Sequence, residues 1–302
     1  MRVARSPRAL AALALLAALL APAPWGWRAA TAAPDVASGS TPADVKAFVE
    51  MVAAYDAAVR ANDLDRRVMM LPGLCSTAVA TTWPESDLEA RKAVLAARAR
   101  VRVFCQRAIF QPSKALILAG MEGYAILATP GSSQDLKAMA RKRDNKRRPL
   151  EIRLAALAAW GAIHDPGTHG ELLEYVRLPS ADAEAKTLAI SALMALQGFR
   201  GLERGEQRYE VMGEVIALFT RLRDEAGIRT GMTITPVSKD WYETVEKPFV
   251  EVVNALGGQI FVSYHQCVRW WEDNKKSIRA GRVWAKPQPQ PGRPSTPDST
   301  PR

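Results

Sequence analysis

Residues 151–176 read EIRLAALAAWGAIHDPGTHGELLEYV, and residues 183–198 read AEAKTLAISALMALQG. Both stretches carry apolar residues at helical spacing, and they match each other at an offset of about 36 residues. Stepping back by the same offset reaches a third copy that begins near Leu118. The three copies share one order of large and small residues: Leu118, Ala119, Gly120, Met121, Gly123 and Tyr124; Leu154, Ala155, Ala156, Leu157, Ala159 and Trp160; Ile190, Ser191, Ala192, Leu193, Ala195 and Leu196. A period of this length indicates a helical repeat array.

The first stretch resembles a HEAT or HEAT-like repeat. Such a repeat has a first helix that ends in Ala-Leu-Gly-x-Ile-Gly, an Asp-Pro turn, and a second helix with a pair of leucines. The matching residues here are Ala159, Gly161, Ile163, Asp165-Pro166 and Leu172-Leu173. The resemblance covers roughly residues 113–225 and, more loosely, 248–280. It implies an all-α fold, a HEAT-like (armadillo-type) α-solenoid of stacked antiparallel helix pairs, and it implies no particular activity.

The apolar periodicity also predicts the helices one by one. They are expected at Thr41–Asn62, Asp63–Leu71, Ser86–Ile109, about 114–127, 133–142, 150–163, 168–177, 183–197 and 206–224, from Pro248 to Gly257, and from Tyr264 to Arg279. Thr41 and Ser86 are expected to cap their helices. Pro72-Gly73 is expected to end the second helix, which leaves 74–84 as a loop and 226–238 as a polar break.

The first 33 residues are expected to be a secretory signal peptide. Three arginines precede an unbroken Ala/Leu run at 9–20, prolines follow, and Ala30-Thr31-Ala32 matches a cleavage site. The mature chain is then divided into an N-terminal helical region (34–112), HEAT-like repeats (113–225), a C-terminal helical cap (226–282) and a Pro-rich disordered tail (283–302). This organisation predicts an exported protein, periplasmic or extracellular, with no membrane span in the mature chain.

Charge and cysteine content restrict the partners. The chain has a net charge of +10, and loss of the four arginines of the signal peptide leaves about +6. That charge is too low to indicate nucleic-acid binding, so no nucleic-acid partner is expected. Cys75 and Cys105 could pair as a disulfide in an oxidising compartment, or stay buried as apolar side chains. With Cys267 the count is odd, so at least one thiol is expected to stay free.

Two places are candidates for interaction with a partner. The segment RKRDNKRR contributes Arg141, Lys142, Arg143, Lys146, Arg147 and Arg148, which could bind an acidic partner or could be a solvated loop. Near the C-terminus, Trp270 could belong to an aromatic binding patch or could cover the last apolar face of the array. Arginines also flank the apolar face of the helix predicted at Ser86–Ile109, where solvation is the simpler interpretation.

No catalytic constellation is recognisable. The sequence has no nucleophile elbow, no zinc-protease motif, no phosphate-binding loop and no dinucleotide fingerprint. His164 and His169 flank the Asp-Pro turn, but a metal site needs three or four ligands in defined geometry. We therefore expect no catalytic, cofactor-binding or metal-binding residues and no cofactor. The leading hypothesis is a non-catalytic exported scaffold that binds a protein partner of unknown identity. Alternatives are a lyase-like or glycosylase-like enzyme on a HEAT-like fold, and an accessory subunit of an envelope assembly.

Overall fold

The computed structural model describes residues 40–83, 87–128, 131–141, 148–202, 205–227 and 236–279. One compact unit begins at Thr41 and contains every helix given below. Over the described residues the chain is all-α, with 84 % of them helical and no strand. The α-helices found there are α1 (Pro42–Arg60), α2 (Leu64–Ala80), α3 (Leu88–Ile109), α4 (Lys114–Leu127), α5 (Ser133–Ala140), α6 (Leu150–Ile163), α7 (His169–Arg177), α8 (Ala183–Leu196), α9 (Gly205–Glu225), α10 (Pro236–Gly257) and α11 (Tyr264–Arg279). Short 3-10 helices at Pro166–Thr168 and Gln197–Gly201 precede α7 and follow α8.

Alternate helices pack against one another along the chain. Helix α2 packs on α4, α4 on α6, α6 on α8 and α8 on α10. The intervening helices lie against this series: α3 contacts α2 and α4, α5 contacts α6, α7 contacts α8, and α9 contacts α7 and α10. Helix α1 packs on α2 and α3, and α11 packs on α9 and α10. The predicted boundaries at 112–113 and 225–226 therefore separate helices that contact each other directly, α3 with α4 and α9 with α10.

Residues that are equivalent under the 36-residue offset have equivalent environments. Gly120, Ala156 and Ala192 are all buried, and so are Met121, Leu157 and Leu193. Tyr124, Trp160 and Leu196 are also buried. Leu118, Leu154 and Ile190 are all half-buried. Helices α4, α6 and α8 therefore bury the same face, each against the preceding and the following helix of the series.

The two aromatic residues of this series, Tyr124 and Trp160, pack as core residues. Tyr124 donates a hydrogen bond from its hydroxyl to Asp135 Oδ2 at 2.8 Å, and Trp160 donates from Nε1 to Thr168 Oγ1 at 2.8 Å. In each case the acceptor lies at or just before the next helix of the pair. Burial of a large ring is therefore possible without an unsatisfied polar atom.

A glycine allows α6 to approach α8 closely. A Cβ atom on Gly161 would lie 2.5 Å from the carbonyl oxygen of Ala195 and 2.6 Å from its Cα. A Cβ atom on Gly198 would lie 2.0 Å from the carbonyl oxygen of Gly161. Backbone meets backbone at this point, so both positions require glycine.

Most predicted helices are confirmed, including α4, α6 and α11 with the predicted bounds. The predicted cap at Thr41 is also confirmed: its Oγ1 accepts from Asp44 N at 3.3 Å, and Asp44 Oδ2 accepts from Thr41 N at 2.7 Å. Thr41 Oγ1 also donates to Asp44 Oδ2 at 2.8 Å, and this bond together with the one from Thr41 N lowers the pKa of Asp44. Ser86, the second predicted cap, lies outside the described residues, and Asp87 caps α3 by accepting from Ala90 N at 2.9 Å.

The predicted stop at Pro72-Gly73 is wrong. Helix α2 continues through both residues to Ala80, so most of the predicted loop at 74–84 is helical. Four buried apolar residues explain this, since they continue one helical stripe across the proline: Leu71, Leu74, Cys75 and Ala78. Packing of that stripe against α4 outweighs the hydrogen bond that a helix loses at proline.

The helix start predicted at Pro248 is wrong for the same reason. Helix α10 begins at Pro236 and contains Pro248 in its interior. Buried Trp241, Tyr242 and Val245 lie on the same face as Phe249 and Val252, beyond the proline. The polar break is therefore shorter than predicted, although residues 228–235 lie outside the described residues.

Candidate binding surface

Helix α3 carries an apolar stripe on its outward face. The stripe consists of Leu88, Leu95, Val103 and Phe110, whose exposed fractions are 58, 46, 39 and 53 %. These residues follow one another at intervals of seven or eight, which places them on one side of a helix. We call this surface the α3 stripe. Lys92, Ala99 and Gln106 stand between them on the same side. Large apolar side chains that recur along one side of a helix are typical of a surface that binds another helix.

The apolar face that the sequence predicts for this helix is the opposite one, and it is buried. It consists of Val94, Ala97, Val101, Phe104, Cys105 and Ala108. They pack against α1, α2 and α4. The α3 stripe is therefore additional to the apolar surface that folding already uses.

Two of the arginines beside the stripe have structural roles. Arg98 donates from Nε to the carbonyl oxygen of Ala78 at 2.7 Å and from Nη2 to that of Thr81 at 2.6 Å. It thereby satisfies carbonyl groups at the C-terminal end of α2. Its guanidinium also lies 5.2 Å from the centre of the Trp83 ring. Burial lowers the pKa of Arg98.

Arg100 is held by an ion pair. Its Nε and Nη2 donate to the two carboxylate oxygens of Asp56 at 2.8 and 2.9 Å. This bidentate pair raises the pKa of Arg100. By contrast, Arg91 and Arg107 have no ion-pair partner among the described residues. Two cations, one on each side of the stripe, therefore stay available to a partner.

Only Arg141 and Arg148, the two ends of the basic segment at 141–148, lie within the described residues. Arg141 is exposed and Arg148 is half-buried. Lys142, Arg143, Lys146 and Arg147 lie outside the described residues. The sequence prediction for this segment therefore stays a prediction.

A buried arginine lies in a cavity between α6, α7, α8 and α10. The cavity measures about 160 Å³, and Arg153, Tyr175, Glu184 and Trp241 are among its lining residues. Arg153 donates from Nε to the carbonyl oxygen of Ala140 at 3.0 Å and pairs with Glu184. Burial raises the pKa of Tyr175, and the charge of Arg153 opposes that change. The guanidinium is fully used inside the fold, so the cavity is a structural feature of the helix packing.

The C-terminal aromatic candidate packs onto the protein. Trp270 is half-buried, and its ring centroid lies 5.6 Å from that of Phe261. The neighbouring Trp271 is buried, 4.8 Å from the Tyr209 ring. This packing favours the covering role for Trp270 over an open aromatic patch.

The residues of the Asp-Pro turn hydrogen-bond to nearby groups. Asp165 accepts from Ser133 Oγ at 2.8 Å, and His169 Nδ1 lies 2.8 Å from the carbonyl oxygen of Pro166. His164 has a left-handed backbone with φ 40° and ends α6. No group of three metal-binding side chains occurs in the part of the chain that the structure describes.

The two cysteines that could pair, Cys75 and Cys105, lie next to each other. Cys75 and Cys105 are buried free thiols whose Sγ atoms lie 3.4 Å apart. A Cβ atom on Gly123 would lie 2.6 Å from one sulfur and 2.9 Å from the other, so glycine makes room for the pair. The contact between the thiols, together with burial, raises the pKa of Cys75. Disulfide formation between them stays a prediction.

Comparison with protein-family models, with curated proteins and with solved structures gives no match. None of the helices in the described ranges has the length and apolar composition needed to cross a membrane. The function is therefore inferred from this chain's own residues.

Sequence reasoning missed the α3 stripe, although its signal was present. Once Val94 and Val101 are assigned to the core, a helical projection places Leu95 and Val103 on the opposite side. When one apolar row of a helix is already buried in the core, a second, exposed apolar row indicates a surface that can bind a partner.

Proposed function

We propose that this chain is an exported, non-catalytic scaffold that binds a protein partner, with its helices arranged as a HEAT-like α-solenoid. The succession of contacts from α2 through α4, α6 and α8 to α10 supports the stacked arrangement. The equivalent burial of residues 36 positions apart supports it further. The basic and apolar segments before residue 33 support export.

The α3 stripe is the observation that carries the binding function. Four large apolar side chains are between 39 and 58 % exposed on one side of α3, three within the helix and Phe110 at its C-cap. Burying apolar surface contributes roughly 25 cal/mol per Å², so covering such a row would stabilise a complex substantially. The spacing of these apolar residues, seven or eight positions apart, fits a partner helix that lies along α3.

The charges beside the stripe indicate the chemistry of the partner. Arg91 and Arg107 are cationic and free of ion pairs within the described residues. An amphipathic helix whose apolar face is flanked by Asp or Glu could pack on the α3 stripe and form ion pairs with the two arginines. Peripheral ion pairs of this kind chiefly accelerate association and weaken with salt, whereas the apolar contact does not.

The test compares three forms of the mature chain, residues 34–302, as bait in extracts of its native envelope. The stripe variant Leu95→Glu/Val103→Glu places two acids in the proposed contact. The control Met69→Glu places an acid at a side chain that is 80 % exposed on a different helix, α2. Far-UV circular dichroism and thermal unfolding establish that all three forms fold equally.

We expect one protein to be retained stoichiometrically by the natural sequence and by Met69→Glu, and to be lost from the stripe variant. Retention by the stripe variant would refute the role of α3. Loss from both variants would show that negative charge anywhere prevents capture. Sedimentation of the purified chain provides a second measurement, since concentration-dependent dimers abolished by the stripe variant would identify a second copy, and not an acidic partner, as the occupant.

A further inference from the structure

A second cavity lies among α1, α2 and α3 and has a cationic lining. It measures about 280 Å³. Its lining residues are Tyr55, Val59, Arg67, Phe104, Arg107 and Gln111. None of these six side chains is a carboxylate, so the guanidinium groups of Arg67 and Arg107 face the cavity without an opposing charge in its lining.

Arg67 is buried, and its guanidinium hydrogen-bonds to the Tyr55 side chain but forms no ion pair with any described residue. Its exposed fraction is 8 %, and its Nε has no hydrogen-bond partner among the described residues. An unsatisfied buried N–H is costly, more so on a charged group. The buried Arg153 shows the contrast, because its Nε donates to the carbonyl oxygen of Ala140 and its head group pairs with Glu184. An anion inside the cavity would give Arg67 the partner that Arg153 finds within the fold.

Apart from the amide of Gln111, the rest of the lining is an aromatic and aliphatic wall. The rings of Tyr55 and Phe104 pack together with centroids 4.6 Å apart, and Val59 extends this wall. Asp56, the residue after Tyr55, does not line the cavity and forms an ion pair with Arg100. Inorganic phosphate, which is hydrated on all sides, would gain nothing from an aromatic wall. A carboxylate attached to an apolar group would use both parts of the lining.

We propose that this cavity binds a small carboxylate that carries an apolar group. The carboxylate lies between the guanidinium groups of Arg67 and Arg107, where charge-assisted hydrogen bonds are available. The amide of Gln111 provides a further N–H donor, and the apolar group contacts Tyr55 and Phe104. The volume is just below the roughly 300 Å³ at which drug-sized ligand sites begin, so the ligand is no larger than an aromatic or branched-chain acid. The four apolar residues of the α3 stripe do not line the cavity, and Arg107 is the residue that the two proposals share.

The ligand chemistry is tested by isothermal titration calorimetry on the purified mature chain. The carboxylate probes are phenylacetate, benzoate and 3-methylbutanoate, and the comparison compounds are phenylacetamide and inorganic phosphate. We expect saturable binding of a carboxylate with one site per chain. Phenylacetamide should bind at least ~10-fold more weakly than phenylacetate, because a neutral amide forms weaker hydrogen bonds with guanidinium groups. The proposal is overturned if no carboxylate saturates, if the amide binds equally well, or if phosphate binds as tightly as the carboxylates.

The site is tested by two matched substitutions on α3. Arg107→Gln removes an exposed cavity-lining cation, and Arg91→Gln removes a cation that does not line the cavity. We expect Arg107→Gln to weaken phenylacetate binding ~10-fold or more and Arg91→Gln to leave it unchanged. Arg67→Met should abolish binding, and if that variant does not fold, the first two variants decide. Equal weakening by Arg91→Gln and Arg107→Gln would show that the net charge of the protein, and not this cavity, attracts the carboxylate. That result would overturn the assigned site.

Discussion

The close contact between α6 and α8 can be tested by adding a single methyl group. In Gly161→Ala the new Cβ would lie 2.5 Å from the Ala195 carbonyl oxygen and 2.6 Å from the Ala195 Cα. Ordinary contacts between such atoms are about 3.5–4.0 Å, so α6 and α8 would have to separate by roughly 1 Å. The obstructing atoms belong to the backbone, and no rotation of a side chain can relieve the clash.

The expected magnitude follows from two opposing effects. Overpacking a well-packed core costs about 1–3 kcal/mol, and a clash with backbone lies at the upper end of that range. Replacing glycine by alanine inside a helix contributes about 1 kcal/mol in the opposite direction. We therefore expect the free energy of unfolding to fall by about 2 kcal/mol in Gly161→Ala.

Gly73 provides a matched control. It lies inside α2, and a Cβ atom there would meet nothing within 4 Å. Gly73→Ala should therefore raise the free energy of unfolding by about 0.5–1 kcal/mol, since only the helix propensity changes. Urea denaturation followed by circular dichroism at 222 nm measures both variants, and the slope of the transition reveals any change in the unfolded state. A Gly161→Ala variant as stable as the natural sequence would refute the inferred backbone contact between α6 and α8.

Three further substitutions test other contacts by the same urea denaturation. Trp160→Phe should cost about 2–3 kcal/mol, because it removes the hydrogen bond to Thr168 and leaves part of the volume of the buried indole empty, and an unchanged stability would refute this environment of the ring. Glu184→Gln should cost about 3 kcal/mol because it leaves the buried charge of Arg153 unpaired, and the double variant with Arg153→Met should recover part of that loss. Burial raises the pKa of Cys267 to about 12, so the folded state holds this proton more tightly than the unfolded state does. The stability that the neutral thiol contributes is therefore complete below about pH 8.5, and it decreases above that pH by about 1.4 kcal/mol per pH unit relative to Cys267→Ala. Parallel pH profiles of the two proteins would refute this.

Local sequence signals predicted the helices well where propensity and burial agree. Thr41 and its capping partner Asp44 mark the start of α1, and the apolar spacing placed α4 and α6 at their observed bounds. The inward face of α3 followed from the same spacing. These features depend on residues within a few turns of one another, so they can be inferred from a short window of sequence.

The candidate sites could be predicted only in part. The cavity with Arg67 and Arg107 joins residues from α2 and α3, and it is completed by Tyr55 of α1. Nothing in the sequence around Arg67 distinguishes it from an ordinary surface arginine. The role of Arg98 could not be predicted either. From the sequence it was interpreted as a solvated arginine, whereas in the structure it donates to carbonyl groups at the end of α2.

The sequence by itself determined the all-α class, the 36-residue period and the buried positions of the repeated helices, because these depend on the local order of large and small apolar residues. Only the tertiary structure decided that α2 and α10 continue through Pro72 and Pro248, because the apolar stripes on either side of each proline bury against neighbouring helices. It alone also decided which arginines are used inside the fold and which stay available. That distinction depends on groups that are distant in the chain, such as Asp56 beside Arg100 and Glu184 beside Arg153.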